Sequence, residues 1–521
     1  MKHLHLLLIT IISILFLFGC GSSENGLPDT LPDIPALEIS EMEENRDVYT
    51  LSPIEAEEAV LEPLPINKYT ISLSIDPDTR IIEGIQQVRF ANKSDVPFDR
   101  VYFNVPVGAL SRDAKNRPFF ENFERRVFQH GRNYSYVRFD SITLDGIEAD
   151  FVFEATVLAI FPESPIFIGQ ISEIVLHFEM YIPKINNNFG ANDYAMWFGG
   201  VIPTLAVFNH NGFNISLSHP AGDPYFSEIA NYTVTIATPI EYTVVGTGAI
   251  KVVKHEDMRV TTFSAELVRD FAFALSSRFR EMSYVGISGI EVTMYYYTDI
   301  SNVQAFLELA DRSLYYFSNL IGPYPFPKLD IIEVGLWAPI GMEYSQIIFM
   351  DSVYLSNERA LVSLVHEIAH QWFYIIIGND QFNEPWIDEG LASLLQEFLF
   401  RDEDEIYDLF KAQHSRLNAF LAATEHTSLM NNISVYNSWT EYFNIHYTKA
   451  KLMFYDLRLK MGISGFEEFL RALYSDFAFK IVYKQDIIDT ASRVYENDLT
   501  DFFEKWFAEG QMPPFPDRPN W

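Results

Sequence analysis

The chain has 521 residues, 48% of them hydrophobic and 21% charged, and a formal net charge of −34. That length exceeds one ordinary core, so two or three domains are expected, and the apolar share excludes a disordered chain. No basic stripe offsets the acids, which argues against nucleic-acid binding, and a single cysteine, Cys20, excludes internal disulfides and zinc–thiolate clusters.

In chain order, the first segment reads as targeting rather than fold. Lys2 and His3 precede an apolar run from Leu6 to Phe18, which suits a signal-peptide core and is short for a membrane span. "LFGC" at 17–20 resembles the lipobox of bacterial lipoproteins, in which the cysteine is lipidated and becomes the mature N-terminus, although Phe18 replaces the usual small or aliphatic residue. Residues 1–20 are therefore expected to be a lipoprotein signal peptide. Cys20 would be the lipidated residue, holding the protein outside the cytoplasm on a bacterial cell membrane. Residues 21–65 follow as an acidic tether: between 24 and 62 there are twelve acids and one base, Arg46, among several prolines. Such a segment repels itself and stays extended.

From residue 66 the pattern changes. "YTISLSIDPDTRIIEGIQQVRF" (69–90) alternates apolar and polar residues around a "DPDT" turn, which predicts a hairpin. Further strands are expected at 173–182, 231–239, 242–250 and 269–277, so residues 66–283 read as one mostly β domain. After that, strands and helices mix. "IEVTMYYYT", "LDIIEVGL" and "SQIIFMDS" have strand character, and "VQAFLELADRSLYYFSNLIG" has helical spacing that ends before "PYPFP". Helices dominate from Glu358 onward. Residues 284–521 are thus expected to be an α+β catalytic unit.

The chemistry concentrates in "VHEIAHQW" (365–372). On a helix, His366 and His370 lie about 40° apart around the axis and one turn apart along it, so both imidazoles can reach one metal ion. Glu367, about 100° further round, points beside that ion, where it could hold a water and take its proton. Three ionisable groups flanked by "ALVSLV" and "IA" would be costly in a core without such a purpose.

A catalytic zinc site needs a third protein ligand and an open position. A histidine-based metzincin pattern fails, because Phe373 and Ile376 occupy the positions it requires. Downstream acids remain: Glu384, expected in the loop before Pro385, and Asp388, Glu389 and Glu397 on the helix that "WIDEGLASLLQEFLF" predicts. Two antiparallel helices would return the start of the second to the histidines. This favours Glu389, with Asp388 the nearest alternative as a helix-start acid.

"HEIAHQW" and Glu389 within "WIDEG", with eighteen residues between His370 and Glu389, resemble the M1 family of zinc aminopeptidases. Two further stretches are similar to that family. "PIGMEYSQIIF" (339–349) looks like its Gly-x-Met-Glu-Asn loop, with Tyr344 in place of Asn, and "HYTKAKLMFYDL" (446–457) resembles its Tyr-x-Lys-Gly segment, with Ala450 in place of Gly. The resemblance spans about residues 66–521. It implies a saddle-like N-terminal β domain followed by a thermolysin-like mixed sheet and helical domain. The long C-terminal helical domain of larger members is expected to be missing, as in a short bacterial form, and no counterpart is found of the second amine-binding residue that some members supply from the β domain.

The resemblance also implies roles. One Zn2+ per chain would sit on His366, His370 and Glu389. Glu367 would be the general base, and Tyr447 would stabilise the oxyanion. Glu343 would hold the free α-amino group of a peptide substrate, while the backbone of Gly341 and Met342 would pair with that peptide. Two other readings stay open: a zinc peptidase indifferent to a free N-terminus, and a non-catalytic surface binding protein with the same fold. Oligomeric state is not legible.

Overall fold

The computed structural model describes residues 65–215, 218–223 and 225–518; the signal peptide, Cys20 and all of the acidic tether but its last residue lie outside them. Among the described residues no helix is long and apolar enough to cross a membrane.

The strict alternation in Asn67–Asp76 puts Tyr69, Ile71, Leu73 and Ile75 on a buried face, and the turn at 77–80 returns the chain as Ile81–Ala91. This hairpin sits inside an eight-stranded sheet. Its strand order is Ala249–His255, Met258–Val268, Ala230–Pro239, Asn67–Asp76, Ile81–Ala91, Ile171–Tyr181, Tyr136–Leu144 and Ile147–Glu148. Only Asn67–Asp76 and Ala230–Pro239 pair in parallel, with Tyr69 stacked on Tyr232 across the pair. Two four-stranded sheets of shorter strands and a two-stranded hairpin, Phe208–Asn209 with Gly212–Phe213, complete this β-rich part among the described residues.

One expected strand is two. Residues 242–250 split into Thr243–Gly246, in a four-stranded sheet, and Ala249–His255, at the edge of the eight-stranded sheet. Gly248 makes the break at φ +94°, where a Cβ would stand 2.5 Å from the carbonyl oxygen of Ser264. An uninterrupted β-branched pattern conceals such a change of sheet.

A five-stranded sheet follows, in the order Arg280–Val285, Glu291–Tyr296, Lys328–Val334, Ile347–Asp351 and Gly341–Tyr344. The three middle strands are parallel and the outer two antiparallel. Lys328–Val334 and Ile347–Asp351 are buried along almost their whole length, which explains why they read as continuous apolar runs. The helix Val303–Leu320 crosses between the first parallel pair. From Arg359 the chain is helical, through Arg359–Ala369, Asp388–Leu395, Glu403–Leu421, Ala450–Met461, Ile463–Phe477, Lys484–Tyr495 and Thr500–Phe507. Mixed sheet and helices together form the α+β architecture that the sequence leads one to expect.

Candidate active site

The helix Arg359–Ala369 carries His366 and Glu367 on its last turns, and His370 extends it by one helical residue. Gln371 then ties this helix to the sheet. Its Nε2 donates to the Tyr344 carbonyl (2.9 Å), and its Oε1 accepts from the Gln346 amide (3.1 Å). The helix Asp388–Leu395 packs alongside, and its close approach to Ala450–Met461 requires Gly390: a Cβ there would lie 2.7 Å from the Ala450 Cβ.

These contacts bring His366, His370 and Glu389 to one point. The two Nε2 atoms are 3.0 Å apart, and Glu389 Oε2 is 3.2 Å from His366 Nε2 and 3.4 Å from His370 Nε2. A tetrahedral ion with bonds of about 2.0–2.1 Å spaces its donor atoms about 3.3 Å apart, so the donor set fits zinc in number, chemistry and spacing. His370 Nδ1 lies 3.1 Å from the Phe373 carbonyl, which fixes the proton on Nδ1 and turns Nε2 towards the triad.

The other candidate acids are engaged elsewhere. Glu384 accepts from the Lys484 amide (3.1 Å), and Glu397 is paired with Arg401 and Lys451. Asp388 points away from the histidines and accepts from Asn379 Nδ2 and Gln381 Nε2, each at 2.8 Å.

Around the triad stand the other groups expected from the sequence. Glu367 accepts a hydrogen bond from Ser363 Oγ (3.2 Å). Gly341 and Met342 lie on Gly341–Tyr344, the edge strand of the five-stranded sheet, whose outer side is unpaired among the described strands. That edge can accept an extended peptide. Glu343, on the same strand, is buried and accepts from Gln381 Nε2 at 3.0 Å. Tyr447 reaches the triad from the opposite side. Its ring stacks on His366 at 5.7 Å, and its hydroxyl donates to Glu389 Oε1.

Tyr447 lies within a π-helical stretch, Phe443–Lys449, that runs into Ala450–Met461. A π turn inserted in a helix re-aims one side chain, a device common at functional sites. Lys449 anchors the stretch from below by donating to the carbonyls of Thr427 (2.7 Å) and Ala508 (2.8 Å).

The electrostatics are those of a crowded acidic pocket. Burial raises the Glu389 pKa, but hydrogen bonds to His366 and His370 overcome it and hold it at about 2. The histidines shift in opposite directions. Burial lowers the pKa of both; in His370 the charges of Glu343 and Glu389 prevail and hold it well above its ordinary value, whereas in His366 burial wins. Burial first, and then the charge of Glu343, pushes Glu367 well above the usual carboxylate range, and burial also raises Glu343. Burial and neighbouring Glu389 push Asp388 up to about 7. Carboxylates massed in this way call for cationic occupants.

Sequence reasoning missed four contributors. Gln371, Asn379 and Gln381 hold functional side chains in place, yet polar amides near a motif carry no signal of their own. Asp223 is the fourth. It lies on the 218–223 loop, where burial and then Glu343 and Glu389 push its carboxyl well above its ordinary range. Nothing in "HPAGDPY" marks it as a neighbour of a helix more than a hundred residues away.

This chain is similar to known proteins. The Peptidase family M1 domain matches residues 306–506. Among curated relatives, "Probable aminopeptidase 1" of Sulfurisphaera tokodaii is 25% identical over 40% of this chain and 28% of its own. "Leukotriene A-4 hydrolase" of Xenopus laevis is 28% identical over 39% of this chain and 36% of its own. The match thus spans about a third of these relatives' length. Among solved structures, an M1 zinc metallopeptidase from Deinococcus radiodurans superposes with a TM-score of 0.64 at 16% identity, covering 87% of this chain and 95% of that one. A form of that enzyme bound to a Tyr-Ser-Ala substrate gives 0.63. Residues 306–506 match the peptidase family M1 domain, and the described residues share the fold of two-domain M1 zinc metallopeptidases.

Proposed function

We propose that the protein is a zinc-dependent aminopeptidase, removing N-terminal residues from peptides. The observation that carries this reading is the convergence of His366, His370 and Glu389 at 3.0–3.4 Å, with Glu367 and Glu343 beside them. Zinc held by those three residues would supply a Lewis acid and lower the pKa of water. Glu367 takes the proton of the attacking water at its carboxylate and returns it to the departing amine. Tyr447, with its hydroxyl at the rim of the triad, donates to the oxygen on which negative charge develops. A peptide added to the edge strand along Gly341 and Met342 is aligned by main-chain hydrogen bonds, and its ammonium meets Glu343.

The test pairs zinc content with substrate choice. One zinc per chain is expected, and an amino-acid anilide should be hydrolysed at least about 100-fold more efficiently than its N-acetyl twin, as expected for losing a charge-assisted hydrogen bond. Equal hydrolysis of the two would leave a zinc peptidase indifferent to the N-terminus. No zinc and no hydrolysis would leave a surface binding protein.

We further propose that Cys20 is lipidated and holds the enzyme on the outer side of a bacterial membrane, supported by the "LFGC" motif and the acidic segment after it. In a bacterial host, Cys20→Ser should abolish labelling by a radioactive fatty acid and move the protein from the membrane fraction to the soluble one. Unchanged membrane association would refute the anchor.

A further inference from the structure

The loop between the two ligand-bearing helices contains a connection that no motif announces. Gln381 is buried, 2% exposed, and its Nε2 has acceptors on both sides: Glu343 Oε1 at 3.0 Å and Asp388 Oδ2 at 2.8 Å. Both neighbours are carboxylates, so the amide nitrogen must face them, and its two hydrogens are both used. Asp388 is held from its other oxygen by Asn379 Nδ2 at 2.8 Å. The helix that starts at Asp388 carries Glu389, and the strand that carries Glu343 is the open edge of the sheet.

We infer that Gln381 is a positioning residue that sets where the peptide is cut, by bracing the amine anchor Glu343 against the helix that presents Glu389. This rests on the aminopeptidase reading. The physical reason is distance. An exopeptidase must hold the substrate's ammonium at a fixed separation from the group attacked, and Glu343 and Glu389 stand on different elements. A side chain engaged with both elements removes the play between them. Gln381 also occupies one oxygen of Glu343, so the carboxylate cannot swing and presents its other oxygen to the ammonium. Without the amide, two buried carboxylates would face each other unscreened and move apart.

The experiment compares wild type and Gln381→Met, a substitution of similar shape, on an amino-acid anilide and its N-acetyl twin. KM for the free-amine substrate should rise about 10-fold, as expected for losing a hydrogen bond to a charged group, while kcat changes less than about 3-fold. The preference for the free amine should shrink by the same factor with zinc content unchanged. Gln381→Glu, which has the same shape but at most one proton for two carboxylates, should shift the ratio in the same direction. In a Glu343→Gln background, Gln381→Met should add little. A merely structural role predicts the opposite, an equal cost in both backgrounds and on both substrates, and that result would overturn the inference. So would an undiminished free-amine preference in both Gln381 variants. If instead wild type itself cleaves the two substrates equally, the aminopeptidase reading fails.

Discussion

Glu367→Gln should abolish turnover while leaving the protein folded and loaded with zinc. The substitution preserves shape, and the Ser363 hydroxyl that donates to Glu367 at 3.2 Å can donate equally to an amide oxygen. His366, His370 and Glu389 take their hydrogen bonds from one another, Phe373, Tyr447 and Gln396 rather than from Glu367. What is lost is the ability to take a proton, worth about 10²–10⁴-fold for a positioned general base. kcat should therefore fall by about 1,000-fold or more, with KM little changed.

Stability gives an independent readout. Burial and the charge of Glu343 raise the Glu367 pKa in the folded metal-free protein, so folding takes up a proton there. The sign follows from linkage: a carboxyl with a raised folded pKa destabilises the fold increasingly as pH climbs above its unfolded value of about 4.3. Glutamine, neutral at every pH, removes that penalty. The metal-free variant should have a Tm at pH 7 equal to or above that of the metal-free wild type. A clear drop in Tm would attribute lost activity to misfolding, and a variant retaining a tenth of wild-type kcat would remove Glu367 from proton transfer.

Gly341→Ala is expected to be the second most damaging change, for a reason only the packing supplies. An ideal Cβ at Gly341 would lie 2.5 Å from both Cγ and Oε1 of Glu367 and 2.7 Å from its Cδ. Such separations are well inside van der Waals contact, so the base or the strand must move. The three atoms nearest that added Cβ all belong to Glu367, and none to a residue of the triad. Zinc should stay bound while kcat falls about 100-fold, the scale of a displacement of about 1 Å at a reacting group. Activity within 3-fold of wild type would show that the strand yields without disturbing the base.

The same glycine shows how sequence and structure divide the argument. Read along the chain, Gly341 is the residue that lets a peptide approach the strand edge. In three dimensions it is also the space into which Glu367 fits. A motif tells which residues recur together, whereas the steric cause becomes visible only when a strand and a helix are seen to touch. Ala450 is a similar case. The family resemblance leads one to expect glycine there, and the facing helix presents Gly390, where an added Cβ would stand 2.7 Å from the Ala450 Cβ.

Local periodicity was sufficient for much of the fold. Residues 69–90 alternate because one face of their hairpin is buried and the other wet, and 303–322 repeat at helical spacing because one face packs on the sheet. It fails where that contrast vanishes. Phe189–Ala191 and Met196–Phe198 are buried on both faces and too short to show a pattern, and Ala249–His255 is exposed throughout as an edge strand. The π stretch that aims Tyr447 has the composition of an ordinary helix.

By itself the sequence left Glu343 in a loop, which the structure makes the edge strand Gly341–Tyr344, but it determined two helices and their chemistry: one presenting His366, Glu367 and His370, and a second with an acid near its start. These follow from spacings of a few residues, which backbone geometry converts directly into shared faces. Only the tertiary structure decided which acid meets the histidines, because Asp388 and Glu389 are adjacent in sequence and about 100° apart on the helix. It sends Glu389 to the imidazoles and Asp388 to Asn379 and Gln381. It alone, too, set Gln381 between Glu343 and Asp388. That juxtaposition depends on how a sheet edge and two helices pack, and long-range packing leaves no periodic trace along the chain.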